Sequence, residues 1–220
     1  MIRARCHPAL RALLPEPVPA APPEWLRAMS SEAHSPLAGG AVRTLKHCPP
    51  LIDAMRAGIL LPLAADLHVA GGEVRWDWDP PVLLDSDLPR APVGVHVPEQ
   101  AAGAPFADGR PILKFTGFWT LEADGPLLFT HPLNREDLPF RTLSGVVDRW
   151  PDGHVHLPAV LDPSFEGTIA RGTPVAQVVE LGGAAGSSGL EVGVQDATAI
   201  ARARDLSARL EAERGLYRRR

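Results

Sequence analysis

The 220-residue sequence predicts a mainly β fold, a small β-barrel or sandwich carrying one short N-terminal and one C-terminal helix. Three observations carry this. Proline is 24 of 220 residues, about twice the usual ~5%, and residues that cannot donate a ladder hydrogen bond favour short strands with many turns over a helix bundle. Between residues 112 and 181, short apolar segments follow one another at close spacing, with Gly153 and Gly172 at the joints. Only two stretches, 47–58 and 196–214, have the pattern of a helix longer than two turns.

Residues 1–44 read as a loosely ordered Pro-rich arm. Its 15–23 segment suits extended polyproline, and Trp25 and Met29 are the anchors if the arm lies across the domain. The core is expected over 45–181. It opens with the short helix, where Pro50 suits the first turn, Gly58 the stop, and Leu51, Ala54 and Met55 form the apolar face. A strand follows at 59–63. Segments 66–69 and 73–78 flank Ala70-Gly71-Gly72, a hairpin signal, and Val74, Trp76 and Trp78 fall on one face of the second. Residues 80–111 read as a turn-rich crossing with one brief strand at 94–97. Further strands are expected at 112–115, 118–121, 127–130, 140–143, 145–148, 154–157, 167–170 and 174–181. Residues 182–195 read as a Gly/Ser-rich linker. Asp196 then caps a helix with the stripe Ile200, Ala203, Leu206 and Leu210, and a basic tail ends at residue 220.

The charge excludes some function classes. Lys plus Arg number 22 against 26 for Asp plus Glu, a net −4, whereas a nucleic-acid binder normally carries a basic surplus. No apolar run approaches the ~20 residues of a membrane span, and the first residues lack the apolar centre of a signal peptide. Two cysteines, Cys6 and Cys48, make no disulfide framework. The expectation is a cytoplasmic protein with no nucleic-acid or membrane partner and no cofactor, able to form a homo-oligomer. Walker A, Gly-x-Ser-x-Gly and Gly-x-Gly-x-x-Gly motifs are absent.

Gly145-Val146-Val147-Asp148, then a strand, then residues 165–179 ending in Gly172-Thr173-Pro174-Val175-Ala176-Gln177, resemble the β-clip fold of deoxyuridine triphosphate nucleotidohydrolases and deoxycytidine triphosphate deaminases. Residues 24–181 also resemble an uncharacterised bacterial and phage family. That likeness runs through Trp25, residues 46–54, residues 58–63, Trp76-Asp77-Trp78 and Pro132-Leu133-Asn134-Arg135. The first resemblance implies a β-clip core and places Asp148 at the position of a water-activating carboxylate, with Arg135 near a phosphate-binding segment. The chain departs from the hydrolase pattern around both: Arg149-Trp150-Pro151 follows Asp148, and the serine and glycine expected beside Arg135 are missing.

His154 and His156 form a second candidate. His-x-His on a strand projects both rings to one face, as a metal site requires, with His68, His96 and His131 as remote partners. The acid expected a few residues on is absent, the next ones being Asp162 and Glu166. Cys48 sits before a helix N-terminus, where a thiolate is stabilised, although a small core residue is the simpler reading. With most of the catalytic set missing, the primary expectation is a non-catalytic peptide-binding protein. Unpaired strand edges would take an extended peptide, Trp76, Trp78, Trp119, Trp150 and Arg135 would line the groove, and the peptide would be handed to a modifying enzyme, as in pathways that tailor ribosomally made peptides. The alternatives are a diverged nucleotide hydrolase through Asp148 and Arg135, or a metal-dependent enzyme through His154 and His156.

Overall fold

The computed structural model describes residues 1–13, 15–18, 22–78, 91–106, 110–148, 154–182 and 189–213. The chain is mainly β. In order, its elements are β1 (Ile2–Cys6), β2 (Glu16–Pro17), α1 (Glu24–Ala28), β3 (Glu32–Ser35), β4 (Gly40–Arg43), α2 (Pro49–Arg56), β5 (Ile59–Pro62), β6 (Leu67–Ala70), β7 (Glu73–Trp76), β8 (Val93–His96), β9 (Ile112–Glu122), β10 (Leu127–Thr130), β11 (Phe140–Thr142), β12 (Gly145–Val147), β13 (His154–Leu161), β14 (Gly167–Ile169), β15 (Pro174–Glu180), β16 (Leu190–Val194) and α3 (Ala197–Ala212).

Two larger sheets share one hydrophobic core. The first runs β11-β13-β9-β1-β16, with β8 also on β9; the second runs β12-β10-β15-β5-β2. Neither closes as a barrel. Leu113, Phe115 and Phe118 of β9 and Leu157 of β13 meet Ile59 and Leu61 of β5 and Val178 of β15, all at most 2% exposed. A third sheet, β14-β6-β7, and the hairpin β3-β4 complete the architecture.

Local signals produced the expected elements. Gly71 and Gly72 both have positive φ, 57° and 78°, the conformation of a two-residue turn matched to strand twist, and β6 pairs β7 across it. Asp196 caps α3 by accepting from the Ala199 amide at 2.8 Å. Segments 112–115 and 118–121, expected as two strands, are one 11-residue strand with an irregularity. His154 pairs Thr120 but His156 pairs Thr116, so three β9 residues face the single Val155. Gly117 lies in this bulge. A Cβ there would stand 2.8 Å from the Val155 carbonyl and 2.9 Å from the Trp119 ring, so only glycine lets the strands close.

The ends of the chain differ from expectation. Residues 2–6, read as part of a loosely ordered arm, form a strand between β9 and β16, and Ile2, Ala4 and Cys6 are each 0% exposed. The linker expected at 182–195 contains β16, which pairs parallel to β1 from Ile2–Leu190 to Cys6–Val194. In the arm itself Leu26, 1% exposed, is the buried anchor, while Trp25 is half-buried. Lys46 Nζ holds the end of α1 by donating to the Arg27 and Met29 carbonyls, both at 2.9 Å. No helix among the described residues is long and apolar enough to cross a membrane.

Gly58 stops α2 with φ at 74°, and a Cβ on it would fall 1.8 Å from the Val178 carbonyl oxygen. Gly58→Ala should therefore cost about 2–4 kcal/mol from backbone strain and overpacking. Gly40→Ala, where an added Cβ meets nothing within 4 Å, should change stability by less than about 0.5 kcal/mol. Equal denaturation midpoints for the two variants would contradict this account.

Candidate functional site

Strand β11 borders a cleft of about 620 Å³ and is an edge strand of the first sheet among the described residues. Its backbone shows what the cleft offers. β11 pairs antiparallel with β13, Arg141 opposite Val160, and the flanking bonds run from the Leu143 amide to the Pro158 carbonyl and from the Asp162 amide to the Pro139 carbonyl. Residues 139, 141 and 143 thus face β13, and the ladder alternation turns the polar groups of Phe140 and Thr142 the other way. Pro139 and Pro158 supply no N–H at the two ends of this pairing, which holds β11 to three residues. Phe140 and Thr142 bury their side chains and Arg141 extends to solvent.

The far wall is the turn after β10. His131 Nε2 lies 2.9 Å from the Arg135 carbonyl, which can only accept, so Nε2 carries the proton. Nδ1 then accepts from the Thr142 amide at 3.3 Å. Thr142 Oγ1 in turn donates to the Val175 carbonyl. Gln177, 1% exposed, fastens the same turn from below. Its Oε1 accepts from the Leu133 amide at 2.9 Å, and its Nε2 donates to the carbonyls of Ala54 at 3.0 Å and Ala57 at 2.6 Å, at the end of α2. Asn134 makes the tight corner at φ 59°. Arg135 is thereby held between the cleft and a smaller, mostly apolar cavity of about 140 Å³, which Ile52, Met55, Leu60 and Leu133 line.

The cleft's charge is mixed but leans positive. Arg110, Arg135 and Arg141 border it with Glu136 and Asp162. Arg135 is engaged by Asp137 through Nε at 2.7 Å and Nη2 at 2.8 Å, and these bonds hold the Asp137 carboxyl below its usual range. Asp162 is lowered by bonds from the Ser164 amide and hydroxyl, with Arg110 adding a smaller attraction.

Among the residues singled out from the sequence, Arg135 lies in this cleft. Trp76, Trp78 and Trp119 do not line it. Trp119, expected at a groove, is 2% exposed inside the core opposite Cys6; the bulge in β9 makes residues 117–121 continuously buried, so alternation no longer sends it outward. Trp76 and Trp78 are half-buried against the core, and Trp78 stacks on Phe118 with centroids 4.9 Å apart. Trp150 lies outside the described residues, as does the side chain of His154.

Asp148 and Arg135 are not brought together on one chain. Leu127 pairs with Val147 and Phe129 with Gly145, so Asp148 leaves the pair beside the start of β10 and the 131–135 turn leaves beyond its end. About 10 Å of strand separates them. The remote histidines are dispersed: His68 bonds Thr168 and Asp77, His96 bonds Gln100, and His131 belongs to the cleft turn. No group of three or more His, Cys, Asp or Glu side chains among the described residues is placed to hold a metal. Cys6 is buried and its thiol is pushed up to about 11, which keeps it unreactive, and Cys48 stands half-buried at the start of α2. The residues that sequence reasoning missed are Gln177, His131 as a structural ligand, and Arg141; only Gln177 had a signal, its place in the Ala-Gln ending.

Two measurements follow. Gln177→Met keeps the volume and leaves the Leu133 amide and the Ala57 carbonyl unpaired, the Ala54 carbonyl retaining the Ala57 amide, so it should cost about 3 kcal/mol and lower Tm by on the order of 10 °C. Asp137 contributes stability that is present above its unfolded pKa and lost as the pH falls through its lower folded value. Arg135→Gln should move the Asp137 titration midpoint, read by carbon NMR, upward toward the ordinary carboxylate range. An unmoved midpoint would show that the pair is not formed.

Comparison with protein-family models, with curated proteins and with solved structures returned no match, so the chemistry of the cleft is read from its residues.

Proposed function

We propose that the protein is a non-catalytic binder of an extended peptide or protein segment, which it takes up along the edge of β11 within the cleft. The observation that supports this reading most is the backbone of Phe140. Its N–H and C=O alternate away from β13, toward the side where the cleft lies, and no strand lies beyond them among the described residues. A segment added there completes the ladder with main-chain bonds, while its alternate side chains meet Arg141 on one face and the cleft wall on the other. Because His131 already occupies the Thr142 amide, the segment is read over a short window. Such a module suits the presentation of a peptide to a modifying enzyme.

Heptapeptides selected from a random display library on the whole protein are the probe. Adding a selected peptide should slow hydrogen exchange at the Phe140 amide at least about tenfold, and N-methylating alternate amides of that peptide should abolish binding. Failure of the selection, or binding without protection in β11, would overturn the proposal. The hydrolase alternative makes the opposite forecast. Deoxynucleoside triphosphates should release no pyrophosphate with the wild type, and turnover abolished by Asp148→Asn would replace the peptide reading with that one.

A further inference from the structure

We infer that the chain forms a two-fold symmetric dimer by antiparallel pairing of β16 with β16 of a second copy. Among the described residues no strand lies outside β16, and its backbone is regular along its whole length. The parallel bonds to β1 run from the Ile2 amide to the Gly189 carbonyl and from the Gln195 amide to the Cys6 carbonyl, so residues 189, 191, 193 and 195 face β1. The N–H and C=O groups of Leu190, Val192 and Val194 therefore form an outward row. Edges of this kind are usually shortened, bulged, or guarded by Lys or Pro. β16 has none of these devices, and it exposes Val192 at 49% and Val194 at 43%.

The sequence of the strand fits its own copy. With the two-fold axis at Val192, Val192 meets its equivalent and Leu190 meets the partner's Val194, all three being outward-bonding positions and all on one sheet face. The intervening pair sets Glu191 opposite the partner's Gly193, so no like charges face each other. That pair carries the specificity. Arg5 is opposite Gly193 in its own chain, and its Nη1 lies 3.1 Å from the point where a Gly193 Cβ would stand. A Glu191 arriving across from Gly193 comes directly onto this guanidinium. Arg5 and Glu191 are 3.5 Å apart within one chain and both partly exposed, at 39% and 52%, so each keeps capacity for a second partner. Two crossed Arg5–Glu191 pairs flank the axis.

Sedimentation of the full chain over a concentration series tests this. The wild type should shift from monomer to dimer with concentration. Val192→Lys puts two ammonium groups together at the axis on an exposed site and should weaken the dimer about 100-fold. Arg5→Glu alone and Glu191→Arg alone should each be monomeric through like-charge pairs, yet an equimolar mixture of the two should form heterodimers, because both crossed pairs are then attractive. A wild type that stays monomeric, a dimer indifferent to Val192→Lys, or single-charge variants that fail to pair when mixed would each overturn the inference. Circular dichroism of each variant separates lost pairing from lost fold.

Discussion

The side-chain amide of Gln177 is the fastening on which the cleft and the helix beside it depend. A helix leaves its last carbonyls short of amide partners, and the Gln177 NH₂ group bonds two of them, that of Ala57 and, beside the Ala57 amide, that of Ala54. Its oxygen takes the Leu133 amide at the same time. Gln177 sits mid-strand in β15, laddered to β10 on one side and β5 on the other, so the anchor itself cannot drift. Gly58 is the complement of this arrangement: the β15 backbone at Val178 occupies the space a side chain there would need. One buried amide and one missing Cβ thus fix α2, β15 and the 131–135 turn against each other. A second route from the same strand closes the ring, from the Val175 carbonyl through Thr142 and His131 to the Arg135 carbonyl. The cleft wall is held at both ends by β15, which explains how a turn on the surface keeps Arg135 at one position.

The other organising feature is the bulge in β9. This strand carries β13 along one side and divides the other between β8 and β1. A regular 11-residue strand would twist steadily and present a single register to all three. The extra residues at 117–119 let β9 change course between its two halves, so β8 pairs residues 112–115 and β1 pairs residues 119–122. Trp119 fills the space created at the turn of the strand, and the absent side chain of Gly117 is what admits the ring.

Features decided within a few residues were legible in the sequence. The Gly71-Gly72 turn, the Asp196 cap and the Gly58 stop each rest on backbone chemistry that neighbours alone dictate. β1 was not, because its signal is weak by itself: Ile2, Ala4 and Cys6 alternate with Arg3 and Arg5, and a small apolar face reads as charged leader until its partner β16, some 190 residues away, is known. Trp119 was misread for a related reason, since an aromatic on a strand fits a groove or a core equally well and only the bulge decides. At the candidate site, Arg135 was visible through the motif it sits in. Pro139 and Pro158 were visible too, but that they stand at the two ends of one short pairing is a fact of register, which composition does not contain.

Among the open edges of the first sheet, which β8 shares, β11 and β16 are built differently, and the contrast bears on their use. β11 is cut to three residues by prolines, has one of its outward amides occupied by His131, and carries Arg141 on its exposed face. These are the devices that stop an edge from pairing indiscriminately, and what they leave open is a brief window beside a cleft, suited to a passing segment. β16 cannot be trimmed in the same way. Its full length is committed to β1, and β1 has no other neighbour on that side, so shortening β16 would uncover the Ile2–Cys6 strand in turn. An edge that must stay long, and that carries valines instead of guards, is an aggregation hazard unless something regular covers it. Its own copy is the one cover present at every concentration of the chain. Closed two-fold pairing consumes both copies of the β16 edge at once, leaves no β16 edge for a third molecule, and keeps β11 free on each protomer.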